Sequence, residues 1–108
     1  MAVCIMMCFP ARAQSWVSVG NAGLSDSVVS FLKLAIDKSG TPYVVYQDVA
    51  NSLKATVKKY NGSSWVTVGS AGFSAGTAAF TSIAIDKDGI PYVAFSDEAN
   101  GWGATVMK

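Results

Sequence analysis

Apolar and polar positions alternate with a period of two over several short stretches of this chain, and no stretch carries a helical period. Residues 31–37 put Leu32, Leu34 and Ile36 on one face, the pattern of a half-buried strand. Lys38-Ser39-Gly40-Thr41 then supplies a glycine-containing turn. A second strand is expected over residues 42–48, with Pro42 tolerable as its first residue. Residues 48–52 read as a polar loop and residues 53–60 as a third strand. Asn61-Gly62 is the strongest short hairpin signal and predicts a fourth strand over residues 64–69. A longer link rich in Gly, Ser and Ala follows at residues 70–79. The expected class is all-β.

The pattern occurs twice. Ser15-Trp16-Val17-Ser18-Val19-Gly20 returns as Ser64-Trp65-Val66-Thr67-Val68-Gly69, and Ala35-Ile36-Asp37-Lys38-Ser39-Gly40 as Ala84-Ile85-Asp86-Lys87-Asp88-Gly89. Pro42-Tyr43-Val44 returns as Pro91-Tyr92-Val93, and Asp48 as Asp97. Every offset is 49 without insertion, and 24 of the 45 aligned pairs are identical. The recurring pairs Trp16/Trp65, Asp37/Asp86, Gly40/Gly89, Pro42/Pro91, Tyr43/Tyr92 and Asp48/Asp97 are expected to be structural anchors of the repeat.

Four-stranded antiparallel units recurring every ~40–50 residues are the signature of β-propeller blades. A blade packs both faces against its neighbours, which accounts for the continuous apolar run Pro91-Tyr92-Val93-Ala94-Phe95. An all-β solenoid is the alternative. Residues 15–63 form repeat 1 and residues 64–108 repeat 2, which stops at Lys108 before its last hairpin and outer strand. Residues 15–20 are the reverse, a fourth strand ahead of any first. The expectation is two blade equivalents, with the N-terminal strand supplying the outer strand of the last blade. Propellers need about four to eight blades, so further copies, or a longer array of which this chain is a piece, must supply the rest.

Residues 1–14 differ in kind. Ala2 to Phe9 is an apolar run, Pro10 breaks it, and Ala11-Arg12-Ala13 has the small-x-small pattern of a signal-peptidase site. The run is shorter than the roughly 20 apolar residues that cross a bilayer as a helix, so no membrane span is expected. No basic stretch precedes it, as expected of a leader truncated at its start. The prediction is export to the periplasm or the extracellular space, with cleavage after Ala13.

Composition narrows the chemistry. The chain is 51% hydrophobic and 14% charged, enough to bury a core. Beyond residue 14 there is no His, Cys or Arg, and seven Lys balance seven Asp and Glu. No basic face is available for nucleic acid. Neither a Ser-His-Asp nor a Cys-His arrangement can be built, and the usual zinc and copper ligands are missing. The mature part is expected to be non-catalytic, without cofactor, metal or disulfide.

Trp65-Val66-Thr67-Val68-Gly69-Ser70-Ala71-Gly72-Phe73-Ser74, Ile83-Ala84-Ile85-Asp86 and Gly89-Ile90-Pro91-Tyr92-Val93-Ala94-Phe95-Ser96-Asp97 together resemble the repeat of secreted bacterial β-propeller proteins. The resemblance covers nearly all of residues 15–108. It implies export and many consecutive blades, and no defined activity. The Gly-Gly pair of kelch repeats and the Gly-His and Trp-Asp pairs of WD repeats are absent. The sialidase Asp-box fits only if Asp88 takes its Asp role, and Asp88 is Ser39 in the other repeat; the arginine cluster of sialidases is missing too.

A few residues remain as candidates for chemistry. Asp48 and Asp97 could pair as carboxylates for glycoside hydrolysis. Their recurrence at strand ends fits backbone-capping turns instead. Asp86-Lys87-Asp88-Gly89 faintly suggests a calcium loop, but repeat 1 has Ser39 for Asp88 and no downstream Glu completes a ligand set. Asn61-Gly62-Ser63 matches a glycosylation sequon that turn chemistry also explains. Trp102 stands apart because its counterpart is Leu53, and Asn and Asp lie beside it. Trp102, Asn100 and Asp97 are therefore the expected ligand-contact cluster, suited to stacking on and hydrogen-bonding a sugar. Expected partners are further copies or neighbouring blades, with glycans or cell-surface proteins at the rim.

Overall fold

A computed structural model describes residues 15–108; the leader-like segment 1–14, with Cys4 and Cys8, lies outside the described residues. Among the described residues seven strands form: β1 (Val29–Ile36), β2 (Pro42–Asp48), β3 (Lys54–Tyr60), β4 (Trp65–Thr67), β5 (Ala78–Ile85), β6 (Pro91–Asp97) and β7 (Gly103–Met107). Single turns of 3-10 helix at Val49–Asn51 and Glu98–Asn100 follow β2 and β6. The strands make two antiparallel meanders, a four-stranded sheet β1-β2-β3-β4 and a three-stranded sheet β5-β6-β7.

Local chemistry accounts for the hairpins. Asp37 Oδ1 accepts from the Ser39 and Thr41 amides, both at 2.9 Å, and Gly40 takes φ 89° to close the turn. Asp86 repeats this with Asp88 and Ile90, both at 2.9 Å, and Gly89 takes φ 83°. At the next turn, Asn61 Oδ1 accepts from the amides of Ser63 and Ser64. Each first strand carries one β-bulge, between Ser30 and Lys33 and between Ala79 and Ser82. Phe31 and Phe80 sit in these bulges with φ 55° and 53°, uncommon for a bulky residue. Their rings pack 4.6 Å apart, and Thr81 Oγ1 donates to Phe31 O.

The register separates two faces on each sheet. Leu34, Ile36, Val44 and Tyr46 share the front face of the first sheet; Tyr43, Val45, Ala55 and Val57 share its back face. The front face of the second sheet, Ile83, Ile85, Val93 and Phe95, packs on that back face and forms the core with Ala78, Val68 and Phe73. Gln47 bridges the two sheets, its Nε2 donating to Ala78 O at 2.9 Å. Beyond β4 the chain keeps following the edge of β3. Val68 N–H donates to Val57 O, Phe73 N–H to Ala55 O and Ala78 N–H to Leu53 O, at 2.9, 2.8 and 3.0 Å.

Two expectations change. Residues 15–20 form no strand, and Trp16 is fully exposed. A strand exists only through its ladder partners, and among the described residues β7, the edge this segment was expected to complete, has no partner on its outer side. The sheets are not closed into a ring. Residues 19–24 instead lie against the first sheet, where Trp65 Nε1 donates to Val19 O (2.7 Å) and Lys58 Nζ to Leu24 O (3.0 Å). The second change concerns Leu32, Leu34 and Ile36. They alternate as read, but they are exposed, because no sheet lies in front of the first one. Their counterparts Ile83 and Ile85 are packed because a sheet does.

Candidate functional site

The rim residues Asp97, Asn100 and Trp102 lie between β6 and β7. Asp97 ends β6 and caps the 3-10 turn, its Oδ1 accepting from Ala99 N–H at 3.1 Å. Its Oδ2 accepts from Asn100 Nδ2 at 2.8 Å and from Thr105 Oγ1 at 2.7 Å. Gly101 and Trp102 follow in the left-handed region, with φ 63° and 67°, and the Trp102 amide donates to Asp97 O at 2.7 Å. The indole is half exposed.

The other repeat has the same arrangement without the tryptophan. Asp48 accepts from Ala50 N–H (3.2 Å), Asn51 Nδ2 (2.7 Å) and Thr56 Oγ1 (2.7 Å). Ser52 and Leu53 take the left-handed positions with φ 60° and 65°. Both carboxylates are buried, and each is surrounded by donors from its own sheet. The donors hold the Asp97 carboxyl below its usual value, the Thr105 hydroxyl first and Asn100 next, against the opposing effect of burial. A carboxylate held ionised by three donors is poorly suited to general acid catalysis, which needs a raised value. Asp97 therefore spends its carboxylate on the turn, Asn100 and Thr105. Asn100 gives one amide N–H to Asp97 and is otherwise exposed, and Trp102 is half exposed.

The rim is tied to the inter-sheet link. Glu98 N–H donates to Thr77 O, and Thr77 N–H donates to Glu98 Oε1, both at 3.1 Å. The Asp37 and Asp86 turns lie side by side at another edge, where Asp37, Lys38, Tyr43, Lys87 and Asp88 line a shallow depression. Each aspartate is satisfied by turn amides, and among the described residues no group of three or more His, Cys, Asp or Glu could hold a metal ion. The Lys87–Asp88 ion pair, at 3.3 Å, is exposed and contributes little.

Sequence reasoning missed one feature. An apolar cleft of about 220 Å³ opens between the sheets, lined by Val57, Val68, Gly69, Phe73, Val93 and Met107 among others. The signal for it was the tryptophan repeat. Trp65 fills the corresponding place in front of the first sheet, against Gly20 and Tyr60; a Cβ on Gly20 would lie 2.9 Å from the indole. A Cβ on Gly69 would meet nothing within 4 Å.

Neither a family model, a curated protein nor a solved structure matches this chain. Among the described residues no helix is long and apolar enough to cross a membrane.

Proposed function

We propose that this chain is an exported, non-catalytic module of β-propeller type, which serves as a scaffold for protein or surface interactions. The observation that carries the reading is that the repeats touch at their first strands and leave a cleft between their outer ones. At the inner strands the sheets are in close contact, with Phe31 packed against Phe80 at a tilt of 53° and Thr81 bonded to Phe31 O. Toward the outer strands they part around the apolar cleft at Val68 and Met107. Sheets stacked as wedges curve about an axis on the β1 and β5 side, as blades do. Sheets stacked in parallel would build a rod.

The non-catalytic part of the reading is supported by the two strand-end carboxylates, whose acceptor positions serve their own turns. The export part rests on the leader-like composition of residues 1–14. Three copies of residues 15–108, joined through a copy of the residue 60–63 turn, test the architecture by small-angle scattering. The expected particle is compact and ring-shaped; a rod that lengthens with each added copy would rule out the propeller.

A second reading, carbohydrate binding at the rim, is favoured by one observation: repeat 2 presents a half-exposed Trp102 where repeat 1 has Leu53. Aromatic faces of this kind stack on sugars. Binding on a glycan array that disappears with Trp102→Ala is the expected result under that reading, and an array without signal removes it.

A further inference from the structure

The outermost surfaces of this molecule are equivalent to surfaces it already packs together. The back face of the second sheet carries Tyr92, Ala94, Ala104 and Val106, at the positions of Tyr43, Val45, Ala55 and Val57. The front face of the first sheet carries Leu34, Ile36, Val44 and Tyr46, at the positions of Ile83, Ile85, Val93 and Phe95. In the middle of the molecule those two kinds of face form the core. At its ends Leu34, Ile36 and Val106 are each 60% exposed or more, whereas Val44 and Tyr46 are already buried within the chain, at 6% and 1%.

The edges match as well. The outer edge of β3 is completed by residues 64–78, whereas among the described residues no strand pairs with the outer edge of β7. Residues 15–29 are the counterpart of that completing segment and keep each group it uses. Val19 stands for Val68, Gly23 for Gly72, Leu24 for Phe73 and Ser25 for Ser74. Gly72 N–H donates to Thr56 Oγ1, and Ala55 N–H donates to Ser74 Oγ. On β7 the waiting counterparts are Thr105 and Ala104.

Residues 20–27 already hold the completing conformation. Gly20 and Gly23 have φ 72° and 68°, against 70° and 63° at Gly69 and Gly72. Ser25 Oγ donates to Ser27 O at 2.7 Å, as Ser74 Oγ does to Gly76 O at 2.7 Å. The leading residues 15–18 form no strand and are exposed, Trp16 fully.

We propose that a second copy of this chain docks head-to-tail on the second sheet. Its residues 15–29 complete the β7 edge, and its first sheet covers the face of Tyr92, Ala94 and Val106. Trp16 of the second copy enters the cleft at Gly69 as Trp65 packs against Gly20. Its indole N–H then donates to Val68 O, the counterpart of Val19 O. The contact is heterologous, so copies add in one direction until the curvature closes a ring. Preorganisation of the docking segment lowers the ordering cost that such strand addition carries. The proposal rests on the two repeats being interchangeable units, as the propeller reading holds.

The test uses the full 108-residue chain with Cys4→Ser and Cys8→Ser. Lys58 faces Thr67 across β3 and β4, so Met107 should face Ser18 of the second copy. The pair Ser18→Cys and Met107→Cys should therefore oxidise to a ladder of linked chains on a non-reducing gel. Light scattering of the chain without the new cysteines should give a multiple of 11.3 kDa. Trp16→Ala, at a residue that supports nothing in the single chain, should weaken association at least tenfold, and Gly69→Val should do so by filling the cleft. A monomer at all concentrations overturns the proposal. So does association that ignores Trp16→Ala, or an intrachain disulfide between the two introduced thiols. A rod-like assembly of cross-linked copies would keep the head-to-tail contact and refute the propeller, so the two failures remain distinct.

Discussion

Tyr46 shows how one side chain reports its surroundings. It is almost fully buried on the front face of the first sheet, with Asp48 and Asp26 nearby. Burial chiefly, and the two carboxylates after it, push its phenol from 10.0 up to about 12. Because the folded value is raised, the associated stability is complete below 10.0 and is lost as pH climbs toward about 12. Urea midpoints across that window should fall with pH in the parent and fall less steeply in Tyr46→Phe. Equal slopes would show that Tyr46 ionises freely. The apolar character of this position was legible in the continuous apolar run of β2. Its burial was not, because Asp26 belongs to a segment that reaches Tyr46 only through the fold.

Among the elements, the turns were the most legible. Asp, Gly and Asn act through bonds to their own neighbours, so the sequence carries their whole mechanism. Gly89 illustrates the local case. It has φ 83° and open space around it, so Gly89→Ala should cost roughly 1–2 kcal/mol from backbone strain alone. Gly20 illustrates the non-local case. Gly20→Ala carries similar strain and also drives a Cβ against the Trp65 indole, breaking its bond to Val19 O. Tryptophan fluorescence should shift toward the solvent-exposed spectrum in Gly20→Ala and stay unchanged in Gly89→Ala. The same shift in both would place the cause in the backbone only. Two further features were not legible at this scale. The bulges at Phe31 and Phe80 depend on each other's rings across two sheets, and the loss of a strand at residues 15–20 depends on the absence of an edge to pair with.

For the whole molecule, what decides the value of an apolar residue is whether another part of the chain stands before it, a segment at Tyr46 or a whole sheet at Ile83. Ile83 and Leu34 occupy the same position in the two repeats and point from the same kind of face. Ile83 packs against the core, so Ile83→Ala should cost about 2 kcal/mol. Leu34 is 61% exposed, and Leu34→Ala should stay within about 0.5 kcal/mol in the single chain. Chemical denaturation at low protein concentration compares the two directly. Equal costs would mean that the front face of the first sheet is covered even in a monomer. Raising the concentration should penalise Leu34→Ala selectively if copies stack head-to-tail.

The sequence by itself determined the all-β class, the 49-residue repeat, the order of the strands and the chemistry of the turns. Each of these depends on residues near one another in the chain or on the comparison of the chain with itself. It also placed Asp97, Asn100 and Trp102 together in one loop. Only the tertiary structure decided that the Asp97 carboxylate is consumed by the turn that presents Trp102, since Thr105 comes from the next strand. It alone decided which faces are covered, where the cleft opens and why Trp16 and Trp65 differ. A repeated sequence states twice what each face prefers to touch. Which face finds its partner depends on how many sheets are present, and that is a property of the assembly in space.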